Sequence, residues 1–145
     1  MKSRIVVNII NLLLPFIQVF GIYVILFGHI SPGGGFAGGS ILGASMIIYR
    51  FLNGSEKTDE KFKKNYLLKI ICSALILYGM IKGSVFVQAF FGGHSIIGNG
   101  VPGTLLSGGF ILPLNILIGA VVAITFYFIA TLFEEGDAGH GDVVD

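Results

Sequence analysis

Charge is scarce in this chain. Only 12% of its 145 residues are Asp, Glu, Lys or Arg, against roughly 25% in an average soluble domain. With 54% hydrophobic residues and a mean hydropathy of +0.88, the deficit marks an integral membrane protein. The few basic residues leave a net charge of +1 and form no patch able to neutralise several phosphates, so nucleic acid is not an expected partner. Cysteine is nearly absent too: Cys72 stands alone, which excludes an internal disulfide and a cysteine metal cluster. HxH and HExxH spacings are missing, and His140 in the acidic tail reads as solvated. The N-terminal apolar run is too long for the core of a secretory signal and lacks a small-residue cleavage site.

What is present is four long apolar segments, at about 5–27, 36–52, 66–91 and 109–133, each near the roughly 17–25 residues that cross a bilayer. The expected fold is all-α and polytopic, a single membrane domain of four transmembrane helices arranged as two helical hairpins. An acidic cytoplasmic tail, 134–145, follows the last span. Lys and Arg set the orientation. Lys2 and Arg4 precede the first span, Arg50 to Lys69 cluster around the second loop, and the first and third loops contain none. Both termini and the second loop are therefore expected in the cytoplasm. All acidic residues fall on that side as well, in the second loop and the tail.

The first loop reads GHISPGGGFAGGS and contains a G-x-G-x-x-G pattern at Gly33, Gly35 and Gly38. A dinucleotide fingerprint needs a short strand before it within a compact βαβ unit, and a P-loop needs a lysine directly after its glycines. Here more than twenty apolar residues precede the glycines and no lysine directly follows them. The glycines instead supply a sharp turn, with Pro32 near the first turn of the next helix, and then a packing face. Gly35, Gly39 and Gly43 recur at helical spacing, as do Gly79 and Gly83 in the third span. Missing side chains let another backbone come close, and close packing is what associates helices in lipid. PGGGFAGGSIL (32–42) also aligns with PGTLLSGGFIL (102–112), and the simplest reading is a repeat of two hairpins about an axis along the membrane normal.

Polar groups inside the spans are few. Asn8, Asn11, Pro15 and Gln18 share one helical stripe, which His29 rejoins further along. Amides facing lipid are costly, so the stripe is expected to meet another helix or to wall an ion route. Lys82 is the only charge well inside a span. A lysine at the bilayer centre costs about 2.5–3.5 kcal/mol on insertion scales, so it needs a partner or an exit to water. With no acid in the spans, a carboxylate would come from another subunit; the alternatives are a proton relay and snorkelling. His29 and His94 sit at the outer mouth, where a neutral-range titration would suit a proton path.

GHISPGGGFAGGSILGA together with HSIIGNGVPGTLLSGGFILPLNILIG closely resembles the MnhB family, the B subunit of Mrp-type multisubunit sodium/proton antiporters, over about residues 11–128. The matching motif is Pro32, Gly33, Gly34, Gly35 and Phe36 with Gly38 and Gly39, plus Gly100, Pro102, Gly103 and Gly108. The resemblance implies a non-catalytic accessory subunit of a sodium/proton antiporter complex, in the cell membrane of a bacterium or archaeon. Its partners would be the other subunits and membrane lipid, with Na+ and H+ handled by the complex. It implies no cofactor, metal or catalytic residue in this chain; Lys82, His29, His94, Asn11 and Gln18 are the candidates for an ion or proton path. The same subunit type occurs in membrane-bound hydrogenases and sulfur-reducing complexes, which is the first alternative. A small homo-oligomeric channel assembled through the glycine faces is the second.

Overall fold

A computed structural model of the chain describes residues 4–28, 33–91 and 111–140. Its helices are α1 (Arg4–Leu26), α2 (Gly34–Asn53), α3 (Ser55–Lys61), α4 (Lys64–Phe91) and α5 (Ile111–His140). All but α3 are long and apolar enough to cross a membrane. They match the four expected spans to within two residues, with one exception. α5 runs on through the segment expected as tail, so residues 134–140 are helical.

Glycine conformations decide where α2 begins and ends. Gly33 has φ +133° and Gly34 φ +56° at its start, and Gly54 has φ +85° at its end. Residues with side chains strongly disfavour these values. Gly54 turns the chain into α3, a seven-residue helix in the second loop that the hydropathy pattern did not foretell. Thr58 is fully buried there and donates its hydroxyl to the Gly54 carbonyl at 2.8 Å.

The helices pack in the order α1, α2, α5, α4. α2 lies between α1 and α5, and α4 rests on the far side of α5. The two expected hairpins are present, joined through their second helices. Against α5, the α2 glycines Gly35, Gly39 and Gly43 face Asn115, Gly119 and Ala123. The two helices therefore run parallel, and the matched residues are eighty apart in the chain. A symmetry axis along the membrane normal would hold repeat-related residues at one depth, and those are seventy apart. The packing register thus departs from the repeat suggested by the two Pro-Gly segments.

Lipid as solvent explains the inverted distribution of side chains. Leu12, Phe16, Met80, Phe86 and Phe133 are exposed, while Arg50 is only 4% exposed. In the span helices, Ser40, Ser45, Ser73, Ser84, Thr125 and Thr131 each donate to a carbonyl three or four residues back. That internal pairing is what a hydroxyl in hydrocarbon requires. An apolar core of Leu67, Ile124 and Tyr127 ties α4 to α5, with Phe62 and Met46 packed against it.

Candidate functional site

The glycine motif builds a close three-helix junction. A Cβ on Gly39 would lie 2.6 Å from the Gly119 carbonyl oxygen, and one on Gly43 2.9 Å from that of Ala123. One on Gly38 would come within 2.6 Å of the Gly21 carbonyl oxygen in α1. Gly38 thus seats α2 on α1, while Gly35, Gly39 and Gly43 seat it on α5. The backbone that these glycines admit is that of this chain's own helices. A single sequence shows that a stripe is open to close approach, but the approaching helix is chosen by tertiary packing. Gly79 and Gly83 differ, with nothing among the described residues within 4 Å of a built Cβ. Phe36 of the motif points outward at 62% exposure.

At the outer end of the junction, Asn115 lies beneath the glycine turn. Its carboxamide abuts Gly28 and Gly34; a Cβ on Gly28 would lie 2.9 Å from its nitrogen, while one on Gly34 would only touch its oxygen at 3.4 Å. Its amide nitrogen is buried and has no hydrogen-bond partner among the described residues. Asn115 escaped the sequence reading, although it is an isolated amide in the apolar run of the fourth span. That isolation was the available signal.

The opposite end of the bundle, where α2 ends, holds a charge cluster that the sequence reading also missed. Arg50, in the last turn of α2, donates from Nε to Glu134 Oε2 at 2.6 Å and from Nη1 to Asp59 Oδ1 at 2.5 Å. A third bond runs from Nη1 to the Tyr127 hydroxyl at 3.3 Å. One guanidinium thereby links α2, α3 and α5, using the fork geometry that lysine lacks. Its position at the C-terminus of α2 also suits the helix dipole. The carboxylates keep water contact, Asp59 at 39% and Glu134 at 42% exposure, so only the cation is desolvated. Lys64 pairs with Glu135 nearby. Arg50 entered the sequence reading only as a topology marker, yet it lies within the expected second span, where a cation needs a partner.

The remaining candidates are dispersed. Asn8, Asn11 and Gln18 are exposed along α1, and Lys82 is exposed on α4. The buried face of α1 is instead Leu14, Gly21 and Ile25. The amide stripe and Lys82 therefore lie on two separate outer surfaces and do not converge. His29, Pro32, His94, Gly100, Pro102, Gly103 and Gly108 lie outside the described residues, as does any junction of His29 with the stripe. The groove between α4 and α5, lined by Ala74, Tyr78, Leu117 and Val121 among others, is apolar and offers no cation ligands.

Four long apolar helices, with the ion pairs gathered at one end and polar groups exposed on the outer faces, define a multi-pass membrane protein. Residues 5–128 match the family described as "Domain related to MnhB subunit of Na+/H+ antiporter", and the chain belongs to that family. It is also similar to an uncharacterized protein of Methanocaldococcus jannaschii, 33% identical over 109 residues. That stretch is 70% of this chain and 41% of the archaeal protein, so the chain matches about two-fifths of that relative's length.

Proposed function

We propose that this chain is a non-catalytic membrane subunit of a multisubunit Na+/H+ antiporter-type complex, needed for assembly and ion translocation. The family match across residues 5–128, which reaches into all four long helices, carries the reading. The outward polar groups support it. Asn8, Asn11, Gln18 and Lys82 face out of the isolated chain, as expected of a part whose membrane neighbours are other proteins. Moving a cation requires oxygen ligands or carboxylates in the membrane. The acids of this chain are confined to the second loop and the C-terminal end, so the transport ligands belong to other subunits. A homo-oligomeric channel built through the α2 glycines is disfavoured, because α5 occupies them.

Deleting the gene and assaying sodium-dependent pH gradients in everted membrane vesicles tests the proposal. The expected result is loss of exchange, restored by the chain in trans, with other membrane subunits co-purifying on an affinity tag. Full exchange in the deletion strain, or a tagged chain that purifies alone, would overturn it.

A further inference from the structure

The outward face of α4 carries two features unexplained within the chain. Gly79 and Gly83 weaken a helix yet make room for nothing among the described residues, none of which comes within 4 Å of a built Cβ at either position. Beside them is Lys82, three positions from Gly79 and also exposed. It lies one turn beyond Tyr78, which lines the groove against α5. At 1.5 Å per residue, Lys82 is about 27 Å along the axis from Lys64 and about 13 Å from the end of the helix at Phe91.

A cation at this position calls for an anion, and no Asp or Glu occurs before Glu56 or between Glu60 and Glu134. This rules out the chain's own spans and outer loop as the source. It equally rules out the spans of a second copy, which would bring another lysine and no acid. Lipid tails offer neither an anion nor a reason for the glycines. We propose that α4, around Gly79, Lys82 and Gly83, seats a membrane-spanning helix of a different subunit that presents an Asp or Glu to Lys82. The glycines let the two backbones approach closely enough for the lysine to reach that carboxylate. This inference rests on the subunit reading above.

The test uses the assembled complex, purified through a tag on another subunit, with a photoreactive phenylalanine analogue at Phe86. Phe86 is exposed one turn beyond Lys82. Illumination is expected to join this chain to a peptide of a different subunit whose membrane span contains Asp or Glu. Lys82→Met should lower the amount of chain retained severalfold and Lys82→Arg should keep it. Lys82→Glu paired with a lysine at the identified acid should restore it. Melting of the isolated chain in detergent should be the same for Lys82→Met and wild type, which separates docking from folding. Cross-links to lipid alone, to a second copy, or to a helix without an acid would overturn the inference, as would full retention of Lys82→Met. If the wild-type chain co-purifies with no other subunit, the subunit reading itself falls and this inference falls with it.

Discussion

Arg50 shows how one side chain can act as a joint between elements. Its guanidinium holds Asp59 of α3 and Glu134 of α5, so removing it frees three helices at once. Loss of one partner from a fully buried ion pair costs about 3–5 kcal/mol. Here the carboxylates are about two-fifths exposed and can rehydrate, so Arg50→Met is expected to cost less, about 1–3 kcal/mol. Arg50→Lys should recover only part of this, because an ammonium is a point charge and cannot reproduce the fork. Thermal unfolding in detergent checks both; a variant melting with wild type would show the cluster to be ornamental. The Lys64–Glu135 pair, exposed on both sides, should matter far less.

For the helices, the two sets of glycines make opposite predictions. Gly39→Leu would push a side chain into the Gly119 backbone, which cannot move aside as a flexible side chain would. It should part α2 from α5 and destabilise the isolated chain by at least the ~1–3 kcal/mol typical of overpacking. Gly79→Leu meets open space and should leave the isolated chain within about ±0.5 kcal/mol of wild type. Equal melting temperatures for the two variants would remove the distinction. The existence of these helices was legible because about twenty apolar residues in a row admit few other structures. α3 was not: its sequence, SEKTDEK, has no apolar face. It is kept by the Gly54 turn, Thr58 and the Asp59 bond to Arg50.

Across the molecule, charge asymmetry predicts the orientation. Arg50, Lys64 and their acidic partners lie at one end of the bundle, and the positive-inside rule assigns that end to the cytoplasm. With Cys72 replaced by alanine, a cysteine introduced at Glu60 should resist an impermeant maleimide in intact cells and react after permeabilisation. Labelling of intact cells would invert the topology.

Lipid as solvent and the four spans were legible in the sequence alone, as was the polarity expected of them. Backbone polar groups in hydrocarbon must pair within their own helix, and the placement of Lys and Arg biases insertion. The glycine motif could likewise be recognised there as a packing element. Which helix fills it, α5 for Gly35, Gly39 and Gly43 and α1 for Gly38, was decided only by the tertiary structure. So was the conversion of Arg50 from a marker of topology into a buried joint. The physical reason is that a small residue or a charge declares a need for a close or opposite neighbour, while the neighbour's identity depends on other segments, as far as 84 residues away.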